Sequence, residues 1–140
     1  MKKREAVSAI MQKELITLEL EGGTLMDAKS LMEENHIRHL PVVRGESLVG
    51  ILSLTDIHRI SFGANYGQAE QVDNSIFNSL KVSEVMQGEP RTINAHTTVK
   101  EVAELLAVEE FHALPVVDDK NKLEGIVTTT DLVNYLIDLY

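Results

Sequence analysis

The stretch HIRHLPVVRGESLVGILSLTD, residues 36–56, is answered downstream by FHALPVVDDKNKLEGIVTTTD, residues 111–131. Each copy holds an LPVV run, a polar turn and an apolar run centred on a glycine (Gly50, Gly125). Each then ends in a hydroxyl, two residues and an aspartate. Further upstream, AVSAIMQKELITL (6–18) matches KVSEVMQGEPRTI (81–93), setting Met11 against Met86 and Thr17 against Thr92. The small length differences fall at Gly22-Gly23 and within DDKNK, turn-like residues where a shared fold tolerates them. The chain is an internal duplication.

Both copies spell the same series of elements. LITLEL and RTINA read as short first strands. TLMDAKSLMEEN sets Leu25, Ala28, Leu31 and Met32 on one helical face, and TVKEVAELLAVEE repeats this with Val99, Val102, Leu105 and Leu106. Thr24 and Thr98 stand at the N-cap positions, with Asp27 and Glu101 three residues on, in capping-box fashion. LPVV with SLVGILSL, and LPVV with KLEGIVTT, read as strand pairs across polar turns, and TDIHRI and TDLVNYLIDLY as closing amphipathic helices. The order strand, helix, strand, strand, helix predicts an α/β (α+β) fold of two repeats, 1–60 and 81–140. Neither repeat buries both faces of so small a sheet alone, so the two are expected to pack about a pseudo-twofold axis. Residues 61–80 have no counterpart and read as a linker with a short helix at DNSIFNSL, Ile76, Phe77 and Leu80 facing inward. A ligand-covering lid is the alternative.

Composition narrows the function classes. With 140 residues, 44% of them hydrophobic, the chain can build a real core. A formal net charge of -9 argues against nucleic acid or an anionic membrane surface as partner. The absence of cysteine removes disulfides, thiol catalysis and cysteine-based zinc sites. The basic start lacks a signal peptide's apolar stretch, and no run is long enough to span a bilayer, so the expectation is a soluble, cytoplasmic protein.

Two tandem copies of these elements, each with LPVV, a Gly-centred strand and a [ST]-x-x-D end, resemble the CBS domain family, named after cystathionine β-synthase. The resemblance covers the chain from about Val7 to Tyr140, the linker excepted. It implies a regulatory module with clefts between its two repeats that bind adenosine-containing ligands: AMP, ADP, ATP or S-adenosylmethionine. It implies no catalysis and no obligatory cofactor. Magnesium would come only with a di- or triphosphate. The regulated protein partner is not specified by the sequence.

The residues allow the same chemistry. A carboxylate accepts from both hydroxyls of a ribose, while a hydroxyl and the free N–H groups of a helix start favour phosphate. By resemblance Asp56 and Asp131 hold ribose, with Ser53 and Thr128 nearer the phosphate, and Thr55 and Thr130 belong to the same expected ligand-binding set. The competing reading is that these residues cap a helix, and both roles can coexist. The turn before LPVV is the second carrier: Ile37, Arg38 and His39 in one copy, Phe111, His112 and Ala113 in the other. By resemblance the backbone there meets the adenine edge. Arg38 offers a fork of donors to phosphate, although a cation at a helix C-terminus is favourable in itself. Thr17 and Thr92, and Pro41 and Pro115 within LPVV, complete the expected ligand-binding set.

Other readings weigh less. His36-x-x-His39 is half a metal site without an evident third ligand. No P-loop occurs and no nucleophile–base pair is evident. Ile57, Ile60, Leu132, Leu136 and Leu139 on the closing helices suggest an apolar face that pairs copies into a homodimer. A scaffold whose clefts bind nothing is the rival to the nucleotide sensor.

Overall fold

The structure, a computed structural model, describes residues 4–64, 79–108 and 112–140, and of 61–64 the backbone alone. It is a mixed α/β chain that divides into two compact units, Ile16–Pro90 and Met1–Leu15 together with Arg91–Tyr140.

In the unit Ile16–Pro90, helix α1 (Leu25–Asn35) starts where Thr24 breaks from extended backbone. Thr24 Oγ1 accepts from the Asp27 N–H and the Asp27 carboxylate accepts from the Thr24 N–H, both at 3.1 Å, the expected capping box. The helix ends at His36, which adopts the left-handed conformation (φ 55°) and returns its N–H to the Met32 carbonyl. Its face of Leu25, Ala28 and Met32 packs with Leu18, Leu40, Val42, Leu52 and Ile57, all close to fully buried. The sheet beneath runs β1 (Leu18–Glu19), β2 (His39–Arg44), β3 (Ser47–Ser53), β4 (Gln87–Gly88). β1 is parallel to β2, and the other pairs are antiparallel. The β2–β3 turn needs Gly45, whose φ of +64° suits glycine, and Glu19 accepts its N–H at 2.9 Å. Helices α2 (Leu54–Ala64) and α3 (Val82–Val85) complete the unit.

The other unit repeats this plan. Helix α4 (Val99–Val108) is capped by Thr98 Oγ1, which accepts from the Glu101 N–H at 3.1 Å, and buries Val99 and Val102. Strands β5 (Ala113–Val117) and β6 (Leu123–Thr128) form the hairpin, and α5 (Thr129–Asp138) follows. Both hairpins carry a register shift at the same place in LPVV, Val42/Val43 and Val116/Val117. The expected strand RTINA contributes a single parallel bridge, Ile93 with Val116.

The chain is cut at Leu15/Ile16 and Pro90/Arg91, inside the two matched segments. In each unit the edge of the glycine-centred strand is therefore taken by the Met-Gln segment that precedes the first strand of the other repeat. Gln87 pairs with Ile51, and Gln12 with Ile126. Residues 4–15 form a strap along the second hairpin. It is fixed by fully buried Val7, by the Val7 N–H on the Thr97 carbonyl (2.7 Å), and by the Gln12–Ile126 bridge (2.8 and 3.1 Å). Tyr135 Oη donates to the Glu5 carboxylate at 2.6 Å, and this anionic neighbour holds the phenol above its ordinary pKa.

One expectation about the surface is corrected. Ile57 belongs to the core, 0% exposed, and Ile60 packs against that core, because α2 lays this face against β3 and α1. The exposed apolar stripe lies on α5, where Val133, Leu136 and Ile137 follow helical spacing. Phe111, Ile76 and Phe77 lie outside the described residues.

Candidate functional site

Each hairpin ends in a corner where the last strand turns into the last helix, and the turn before LPVV lies against that corner. In one unit the Arg38 carbonyl accepts from the Leu54 N–H at 2.8 Å and His39 pairs with Ser53. In the other the His112 carbonyl accepts from the Thr129 N–H at 3.0 Å and Ala113 pairs with Thr128. Two stretches read separately in the sequence are thus neighbours in both copies. Thr17 immediately precedes β1, which pairs with the LPVV strand. Thr92 precedes Ile93, whose N–H donates to the Pro115 carbonyl at 3.1 Å. Pro41, Pro115 and Ala113 are buried, Arg38, Thr55, His112 and Thr130 are exposed, and Ile37, His39, Thr17 and Thr92 are half-buried.

The two corners differ in what their carboxylates do. Ser53 Oγ accepts from the Asp56 N–H at 3.0 Å, a one-way cap. The Asp56 carboxylate makes no hydrogen bond among the described residues. Its charged neighbour is Arg59, 3.6 Å away, and 29% of its side chain is exposed. Asp131 is engaged throughout. Oδ2 accepts from the Thr128 N–H (2.9 Å) and Thr128 Oγ1 (3.2 Å), and Oδ1 accepts from Gln12 Nε2 (2.9 Å). The Asp131 N–H closes the box on Thr128 Oγ1 at 3.2 Å, and the residue is 8% exposed. Arg38, at the open corner, has an exposed guanidinium with no partner among the described residues.

Sequence reading missed Gln12 and Arg59. The repeated Met-Gln, Met11-Gln12 and Met86-Gln87, signalled a shared backbone position, but not that Gln12 alone would reach its unit's aspartate. A concavity of about 510 Å³ in the unit Ile16–Pro90 lies away from these residues. Glu19, Glu21, Asp27 and Glu34 line it, the wrong charge for a phosphate. Among the described residues no three or more His, Asp or Glu side chains group to hold a metal. Nor is any described helix long and apolar enough to cross a membrane.

The paired hairpins, their capped helices and the matched corners define a tandem-repeat module. The CBS domain model matches residues 7–63 and 82–138, and the chain belongs to the CBS domain family. It is 31% identical over 117 residues to the Methanocaldococcus jannaschii protein MJ1225, covering 81% of this chain and 41% of that protein. The crystal structure of MJ1225 superposes with a TM-score of 0.82 at 28% identity over 97% of this chain and 49% of that one. The chain thus spans less than half the length of this curated relative. The Arabidopsis thaliana protein CBSX2, solved in complex with AMP, gives a TM-score of 0.79 at 25% identity, covering 96% of this chain and 98% of that one. The CBS domain pair of MJ0100, solved with 5-methylthioadenosine and S-adenosylmethionine, gives 0.78 at 26% identity, covering 96% and 98%.

Proposed function

We propose that this CBS pair is a regulatory or sensing module, not an enzyme, and binds an adenosine-containing ligand, with the first repeat's corner as its principal seat. The observation that carries this is the Asp56 carboxylate, which no hydrogen bond engages among the described residues, at a corner that also holds Ser53 and the backbone of the exposed Arg38. A carboxylate left free of hydrogen bonds within its own unit suits a ribose diol, and an exposed arginine on the turn next to a helix start suits phosphate. The ligands of CBSX2 and the MJ0100 pair support the same chemical class. Magnesium would enter only with a di- or triphosphate. The module would act in the cytoplasm on a protein partner whose identity the chain does not specify.

A ligand that binds only the native state raises the melting midpoint, by about 2.7 kcal/mol of stability at a hundredfold excess over Kd. Thermal melts with adenosine, AMP, ADP, ATP and S-adenosylmethionine should therefore shift upward for at least one compound. No shift with any of them would leave the scaffold reading. Arg38→Ala should weaken ADP more than adenosine, by about a further tenfold, as expected for loss of a charge-assisted phosphate contact. An unchanged ADP-to-adenosine affinity ratio would remove Arg38 from the phosphate site.

The α5 stripe supports pairing of two copies. Val133, Leu136 and Ile137 are 50%, 52% and 63% exposed, and such a stripe normally marks an interface. Light scattering at micromolar concentration should report a dimer, and Ile137→Glu a monomer. A wild-type monomer would refute the pairing.

A further inference from the structure

The strap crosses the second hairpin at a fixed point. Met11 and Gln12 pass over Gly125 as Met86 and Gln87 pass over Gly50, and both glutamines pair antiparallel with an isoleucine of the strand they cross. The backbone arrangement is the same in both units, but the side chains are used differently. Gln12 Nε2 donates to Asp131 Oδ1 at 2.9 Å, on the carboxylate oxygen that the helix cap leaves over. Among the described residues Gln87 makes no bond to Asp56, whose carboxylate stays open. One copy of a duplicated site thus holds a hydrogen-bond donor from its own chain where the other is available to a ligand hydroxyl.

We infer that Gln12 is an internal occupant of the second repeat's carboxylate, closing it to a ribose diol and restricting the module to one adenosine ligand per chain. This rests on the ribose role proposed for the corner aspartates. An amide suits such a latch because it is uncharged. Its release leaves no unpaired charge on the strap, whereas a lysine there would hold the carboxylate by a full ion pair. Being tethered, it also competes with a free ligand as an intramolecular group. The strap does not depend on the latch for its place, since buried Val7 and the two backbone bonds to Ile126 hold it.

The test is calorimetric titration of the full chain with ADP. Wild type should bind one equivalent, weakened about ten- to hundredfold in Asp56→Ala. Gln12→Ala should bind a second equivalent, and Asp131→Ala in that background should weaken the second site about ten- to hundredfold, the value of a charge-assisted hydrogen bond. Gln12→Met keeps the volume, is read in the same way, and serves if the alanine variant folds poorly. A wild-type protein that already shows an Asp131-dependent site would overturn the latch. So would Gln12 variants that titrate as wild type. If wild type still binds at Asp56 in those cases, the ligand reading survives and the latch alone fails. If neither wild type nor the Gln12 variants bind ADP or any other adenosine compound, both fall together.

Discussion

Gly125→Val should destabilise the protein by about 3 kcal/mol, the upper range for overpacking a tight site, although valine is the better strand former. The sign is decided by the strap. A Cβ at Gly125 would sit 2.8 Å from Met11 Sδ and 2.9 Å from the Gln12 carbonyl oxygen. The methionine can swing aside, but the carbonyl accepts the Ile126 N–H at 3.1 Å and moves only with the strap. Gly50 stands in the same relation to Met86 and Gln87, so Gly50→Val should behave alike. Urea unfolding checks both variants. Adding Met11→Ala to Gly125→Val should recover only part of the loss, because the carbonyl contact remains. A midpoint that stays put or rises in both variants would mean that the Met-Gln segments do not lie across these strands.

The two corner aspartates should respond oppositely to alanine substitution. Asp56→Ala should reduce ADP affinity by about one to two decades, the effect of losing a charge-assisted hydrogen bond. Its stability should change little, because the cap on the Asp56 N–H is supplied by Ser53 Oγ and survives the substitution. Asp131→Ala should leave ADP affinity unchanged and lower stability by about 1–2 kcal/mol, as removal of a reciprocal cap does. It also frees the Thr128 N–H and Gln12 Nε2 from their acceptor. Melting curves and ADP titrations on both variants separate the effects. Should Asp131→Ala lose the ligand while Asp56→Ala loses only stability, the assignment of the two corners is inverted.

Much of this architecture was legible because it depends on local pattern. The faces of α1 and α4, the Thr24–Asp27 box and the hairpins around Gly45 and Asn121 follow from periodicity, capping and turn chemistry. Which hairpin each Met-Gln segment covers was not legible. Gly50 and Gly125 offer the same notch, and repetition makes both partners equally suitable. The difference between the corners was hidden for the same reason. Ser53-x-x-Asp56 and Thr128-x-x-Asp131 look alike, and what distinguishes them is a glutamine 119 positions from the aspartate it meets. Ile57 was misplaced because an amphipathic helix start does not show which of its apolar residues face the sheet.

The strap also bears on the order in which the chain takes shape during synthesis. The unit Ile16–Pro90 lies within one continuous stretch and can close as soon as that stretch has emerged. Glu5 and Gln12 must wait for partners 130 and 119 positions further on. At roughly 5–20 residues per second, that delay is on the order of ten seconds. Meanwhile the strap is made well before it can be seated, and the closure entropy of so long a loop is due only at the end. Until then the strap has no β6 edge of its own chain to pair with. On a crowded polysome the Gly125–Ile126 edge of a neighbouring, further advanced chain fits it equally well, so exchanged dimers are the misassembly to which this topology is most exposed.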